Sequence, residues 1–345
     1  MRIARPAPAP APARRSATAR TGLGRVAGLL LALALLAAGC RGGGGGDVKG
    51  SGGNVPEGFS VFVASYDIAV SPRPRRFIAG LQALDERLVN YGTVTMRFAW
   101  LGETQPQQAS AAPSITATGR FLPIPGVKAV QADKPRLTSP SEARGVYAAD
   151  VAFDRAGYWG VEVTADVDGQ GMRRGTASFQ VTEKPQVPDV GQPALKTTNL
   201  TMGAKGVPPV AIDSRAQGKN GKVPDPELHQ KTIAGALAAG RPAVVVFSTP
   251  VYCVSQFCGP VTDMVDGLRR TYGDRIDFIH VEIWKDFQKQ QLNDAAKAWL
   301  YRGDNLNEPW VFVIGSDGRI AARFDNVTTQ PELEQVLKGL PESKG

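Results

Sequence analysis

The chain is short of the residue types that most often announce a function. Among its 345 residues there are three cysteines and two histidines. Three cysteines can close at most one disulfide bond, and two histidines leave little room for imidazole ligation. His280 lies mid-strand between Ile279 and Val281, where a core or edge histidine is expected, and His229 lies near a helix start, where a solvated side chain is expected. Uninterrupted apolar runs are short too. The longest, about a dozen residues from Val26 to Ala38, falls below the ~20 that a spanning helix needs. Acidic residues are missing from the first 40 positions, which hold Arg2, Arg5, Arg14, Arg15, Arg20 and Arg25. Removing those six charges from the formal +8 leaves about +2 for the rest, too little to point to a polyanion, so no nucleic-acid partner is expected.

What is present begins with an export signal over residues 1–40: a basic start, the apolar run, then small residues. Leu36-Ala37-Ala38-Gly39-Cys40 resembles the lipobox of bacterial lipoproteins, although Leu36 stands one step earlier than the usual leucine. The resemblance implies lipidation at Cys40, and with it a location on the extracytoplasmic face of the cell membrane, held by the lipid anchor. Residues 41–55, with Gly42 to Gly46 and Ser51-Gly52-Gly53, read as a flexible tether. If Cys40 carries lipid, the mature fold keeps Cys253 and Cys258, and an isolated pair in an oxidising compartment is expected to be linked.

Residues 56–183 read as β structure. Ser60 to Ala64, Thr93 to Trp100, Ser114 to Leu122, Gly145 to Phe153, Trp159 to Ala165 and Thr176 to Val181 are short runs rich in β-branched and aromatic residues, separated by turn residues. A helical period shows only near Leu81 to Leu88. Asp154-Arg155-Ala156-Gly157-Tyr158 resembles the tyrosine corner of immunoglobulin-like domains, which implies an antiparallel sandwich, without an inter-sheet disulfide because Gly160 stands at the second cysteine position. Tyr158 and Trp159 are expected in the core. The domain carries no catalytic constellation, which leaves it a spacer or a partner-binding surface.

Residues 184–225 read as a proline-punctuated linker and an irregular lead-in, in which Val187 to Ala194 resembles the opening of redoxin-type proteins. From 226 to 345 the pattern alternates. Leu228, Ile233, Ala236 and Leu237 line a helix face stopped by Gly240, and Ala243 to Phe247 is a strand apolar on both faces. Val261, Met264, Val265, Leu268 and Tyr272 fall at helical spacing; Ile276 to Ile283 is a strand; Leu292 to Leu300 is a helix. Trp310 to Ile314 and Arg319 to Phe324 form a hairpin about Ser316-Asp317-Gly318, and Leu333 to Leu340 a last helix. This α-β-α-β-α-β-β-α order, the cysteines between the buried strand and the next helix, and Pro309 just before the hairpin resemble the thioredoxin superfamily, in particular bacterial lipoproteins with a thioredoxin domain. The resemblance implies an α/β thioredoxin-like fold, a substrate groove at Glu308, Pro309 and Trp310, and partners that are protein thiols or disulfides together with a redox partner the sequence does not name. It implies no cofactor.

The cysteine pair departs from the family's Cys-Gly-Pro-Cys. Here Cys253 and Cys258 enclose four residues, and Cys258-Gly259-Pro260 opens the helix. Pro260 suits the first helical turn, and a thiolate among unpaired N–H groups there is stabilised, so Cys258 is expected to attack and Cys253 to resolve. The buried carboxylate that many thioredoxins carry before the strand's Phe is absent: Val246 stands there. Proton transfer must then use another group or water. Three readings of the pair stay open at this stage. One is thiol–disulfide exchange. Another is a structural disulfide in a non-catalytic adaptor. The third resembles the Sco-type copper chaperones, with Cys253, Cys258 and His280 as ligands.

Overall fold

The computed structural model describes residues 47–48, 57–106, 110–127, 132–218 and 220–341. The expected signal, Cys40 and all but Asp47 and Val48 of the tether lie outside the described residues. Among the described residues no helix is long and apolar enough to cross a membrane. The structure is mostly β-sheet, and its sheets are largely antiparallel.

Nine strands of the first region form one continuous sheet. They are β1 (Phe59–Val63), β2 (Arg75–Ala83), β3 (Leu88–Asn90), β4 (Thr93–Gly102), β5 (Ile115–Pro123), β6 (Arg136–Thr138), β7 (Gly145–Val151), β8 (Gly157–Val167) and β9 (Gly171–Val181). Their order is β9-β8-β4-β5-β7-β2-β3-β6, with β1 also paired to β2. The sheet curls until its two ends meet, where the Gly58 amide donates to the Arg174 carbonyl at 3.1 Å. The approach is so close that a Cβ at Gly175 would strike the Phe59 carbonyl, which is why glycine stands there. Opposite halves of this one sheet therefore face each other across a shared core, as the layers of a sandwich do. That core is aromatic: Phe77, Phe98, Phe153, Phe179 and Trp159 pack mostly edge to face at centroid distances of 5.0–6.3 Å.

The structure adds β2, β3 and β6 to the strands legible in the sequence. The helical period near Leu81 to Leu88 is a hairpin instead: Leu81 is buried in the core, while Leu84 sits at the turn, 79% exposed. At the corner resembling that of immunoglobulin-like domains, Trp159 makes the backward bond, its Nε1 donating to the Arg155 carbonyl at 3.1 Å, and Tyr158 is half-buried.

The second region is built on a four-stranded sheet, in the order β11-β10-β12-β13: β10 (Ala243–Ser248), β11 (Asp277–Glu282), β12 (Trp310–Ile314) and β13 (Ile320–Asp325). β10 runs parallel to β11 and antiparallel to β12, and β12 and β13 form the hairpin. Helices α1 (Ile233–Ala238) and α3 (Asp294–Leu300) pack with Val245, Phe247 and Ile279 on one face; α2 (Cys258–Tyr272) and α4 (Gln330–Lys338) pack with Val244, Val246 and Phe278 on the other. A short hairpin, Trp284–Asp286 with Gln291–Leu292, lies between β11 and α3.

The two regions belong to one compact unit spanning Gly43–Gly345. Residues 184–201 are part of the second region rather than a free linker: Val187 and Ala194 lie in its core, and the Gly191 and Ala194 amides donate to the Ile320 and Gly318 carbonyls. Ionic contacts reinforce the junction. Arg323 meets Asp67 at 2.8 Å and Asp189 at 3.2 Å, all three side chains being nearly buried, and Arg75 adds a forked contact to Asp189.

Candidate functional site

The site gathers at the carboxyl ends of β10 and β11. The two-residue strand period puts Val244, Val246 and Ser248 on the α2 face of β10, and Phe278, His280 and Glu282 on the same face of β11. The outer members of each set are apolar and pack against α2. The inner ones are polar and fully buried: Ser248, His280 and Glu282. Burying such groups is costly unless they are satisfied, so each needs a partner.

Cys253 and Cys258 are joined as a disulfide with Cα atoms 6.1 Å apart. Cys258 is the first residue of α2 and wholly buried; Cys253, in the loop before it, is half-exposed. The expected attacker, Cys258, is thus the buried member of the pair and the expected resolver, Cys253, the exposed one. The helix start that would stabilise a Cys258 thiolate is present, since Phe257 provides no side-chain cap. An incoming sulfur, however, can reach only Cys253. The loop between them carries Val254, 97% exposed, and Ser255, whose hydroxyl lies 3.2 Å from the Cys253 sulfur. It is braced by Tyr252, which stacks on Phe287 at 3.9 Å, and by Arg144 of the first region, hydrogen-bonded to Gln256.

Of the expected groove residues Glu308, Pro309 and Trp310, it is Glu308 whose side chain comes to the cysteines. The Glu308–Pro309 peptide bond is cis, Pro309 and Trp310 are buried, and a Glu308 carboxylate oxygen lies within 4.8 Å of both sulfurs. Burial, reinforced by the nearby charge of Glu282, pushes the Glu308 carboxyl up to about 9, so it keeps its proton at neutral pH. Its Oε2 is buried without a hydrogen-bond partner. Sequence reasoning placed Glu308 in a groove but missed it as an acid.

The first region contacts the segment that carries Glu308. Tyr66 donates its hydroxyl to the Glu308 carbonyl at 2.6 Å, its amide donates to Asp325 at 2.7 Å, and its ring lies 6.0 Å from Trp310. Burial and the charges of Asp325 and Glu308 hold the Tyr66 phenol far above its ordinary range. Phe257 of the cysteine loop packs with Ile78, Val146 and Val327.

His280 does not join the cysteines. It lies with Asp213 and His229, whose ligand atoms fall within 4.8 Å of one another, a group separate from Cys253, Cys258 and Glu308. His229, expected in solvent, is wholly buried, because the segment 209–218 folds over it. Its burial pushes the imidazole pKa down. Burial alone would raise the Asp213 carboxyl, but contacts with His229, His280 and Arg215 outweigh it and hold that carboxyl well below the usual range. No short motif could have revealed this group: positions 213, 229 and 280 come from a loop, a 3-10 turn and a strand.

No family model, curated protein or solved structure matches this chain.

Proposed function

We propose that this chain is a lipid-anchored, extracytoplasmic thioredoxin-like protein that carries out thiol–disulfide exchange through Cys253 and Cys258, behind an immunoglobulin-like β domain. The observation that carries the reading is a disulfide whose buried member opens a helix, with a protonated carboxyl beside both sulfurs. The strand order, the loop position of the cysteines and the placement of Pro309 ahead of the hairpin support the fold part. The lipobox-like ending at Cys40 supports the anchor.

The chemistry follows from exposure. A substrate thiolate attacks the accessible Cys253 sulfur. The new substrate–Cys253 bond forms as the Cys253–Cys258 bond breaks, and the electron pair leaves on Cys258. That thiolate is born at the helix start, where unpaired N–H groups stabilise it. Glu308 is near enough to deliver its proton, directly or through one water. A second substrate thiolate then attacks the substrate sulfur of the mixed disulfide and expels Cys253. Substrate is oxidised to a disulfide and the protein reduced to the dithiol; the same steps run backwards when substrate brings the disulfide.

Equilibration of the full chain in glutathione buffers tests this. A potential between about −270 and −120 mV is expected for an exchanging pair. Cys258→Ser should trap a mixed disulfide with glutathione disulfide at Cys253, and Cys253→Ser should not. A pair that resists reduction across the whole range removes the proposal. It would favour the second reading, a structural staple, for which the full burial of Cys258 and the Tyr66 contact over the groove already speak.

A further inference from the structure

A second site lies beneath the cysteines, where the hydrogen bonds fix which ring nitrogen of His280 carries the proton. Thr262 donates its hydroxyl proton to the Cys258 carbonyl at 2.8 Å. The Ser248 hydroxyl, 2.7 Å from Thr262 Oγ1, must therefore supply the proton of that contact. Ser248 then has none left for His280, whose Nε2 lies 3.0 Å from Ser248 Oγ and 3.1 Å from the Ser248 carbonyl oxygen. Both neighbours can only accept, so Nε2 carries the ring proton and Nδ1 presents a lone pair. That lone pair faces the Asp213 carboxylate: Nδ1 is 3.4 Å from Asp213 Oδ2, buried, and without a hydrogen bond. Two lone pairs so placed in a dry interior repel unless a positive charge lies between them. A proton on Nδ1 would serve weakly, since 3.4 Å is long for a charged N–H···O contact.

We propose that Asp213, His229 and His280 hold a divalent metal ion of the zinc class. His229 Nε2 is also 3.4 Å from Asp213 Oδ2, a separation that an N–H···O bond fills in the metal-free protein and a metal ion would fill in the loaded one, and all three side chains are wholly buried. Ligands about 2.0–2.1 Å from a tetrahedral ion stand about 3.3–3.4 Å apart, so both measured separations fit a shared ion. Imidazole nitrogens with one carboxylate oxygen suit zinc. The bond from His280 Nε2 to the Ser248 carbonyl is the outer contact that commonly fixes the ring of a metal-bound histidine. The charge balance agrees. Arg215 meets the buried Asp213 at 2.8 Å and also Asp225 and the mostly exposed Asp263 at 2.8–3.0 Å, so its single charge is shared among three carboxylates and neutralises Asp213 only in part. A dication would supply the remainder. Asp213 can serve both cations because a carboxylate offers about four lone-pair sites. With no exposed ligand, the ion would tie the 209–218 segment and the 226–229 turn to β11 instead of meeting substrate, and would be taken up on folding.

The test uses the full chain, purified in detergent and stripped with a chelator. Cobalt(II) titrated in as the probe should bind stoichiometrically and give the visible absorption of a tetrahedral site, without a sulfur-to-cobalt band in the near ultraviolet. Binding should persist in Cys253→Ser and Cys258→Ser and be lost in His229→Gln and His280→Gln. Should the histidine variants fail to fold, the absence of the sulfur band in the wild type still assigns the ligands. No stoichiometric binding, or binding that follows the cysteines, overturns the proposal. So does a nitrogen NMR spectrum of the metal-free protein with both ring nitrogens of His280 protonated and unchanged by cobalt or zinc. None of these outcomes depends on whether the disulfide exchanges.

Discussion

The two sheets solve the same burial problem with opposite materials. The first fills its interior with Phe77, Phe98, Phe153, Phe179 and Trp159, and its buried Glu162 is answered by Arg97 and Arg174. The second is as apolar through Val244, Val246 and Phe312, then turns polar at one end of its strands, where Ser248, Thr249, His280 and Glu282 are buried with Asp213 and His229. Apolar filling is interchangeable as long as volume is kept. A polar interior is expensive, and where it departs from the rule the rest of the fold obeys, function is the usual reason. The contrast places the buried polar cluster in the second sheet, which is where the proposed exchange would take place.

Deleting a ring from the first sheet should give the largest effect. Phe98 is wholly buried and touches Phe77, Phe153 and Phe179. Phe98→Ala should lower stability by about 3–5 kcal/mol, read from urea unfolding. Because both regions form one unit, the loss should appear in a single transition; two separated transitions would show that the sheets unfold independently. Cutting the ionic junction should cost somewhat less. Arg323→Ala removes the ion-pair partner of buried Asp67, leaving it the Gln186 and Val187 amides and the weaker pull of Arg75, and about 3 kcal/mol is expected. Tyr66 contacts should loosen with it, so alkylation of reduced Cys253 should speed up; an unchanged rate would mean that the first sheet does not guard the groove.

The chemistry itself turns on Glu308, where the free-energy change is smallest but most specific. Glu308→Gln removes the proton donor and should slow exchange about 10²-fold near neutral pH, with the disulfide still formed. The folded state holds this proton up to about pH 9, whereas an unfolded glutamate releases it near 4.5. Folding therefore takes up a proton between those values. The contribution of this group is full below 4.5 and is lost as pH rises through the window. Urea midpoints of the wild type should fall across that range relative to those of the variant. Parallel curves would show that Glu308 ionises normally and is not the acid.

How much of this was legible varies with how local the signal is. β10, α2 and the β12–β13 hairpin were readable because strand and helix periods and the Ser316-Asp317-Gly318 turn act over neighbouring residues. β2 was not: its stretch Arg75–Ala83 mixes arginines, a glycine and apolar residues without alternation, since the curled sheet buries Phe77, Ile78 and Ala79 in a row. The leucines at 81, 84 and 88 imitated a helix because a hairpin turn happened to fall at helical spacing.

The sequence by itself determined that two cysteines flank the start of a helix, that Glu308 and Pro309 precede a hairpin, and that an export-like segment leads the chain. Only tertiary structure decided which cysteine is reachable, that burial and the nearby Glu282 let Glu308 keep its proton, and that His280 meets Asp213 and His229 instead of the cysteines. The physical reason is that exposure, dielectric and ligand geometry are properties of surroundings, and these surroundings are assembled from segments tens to hundreds of residues apart.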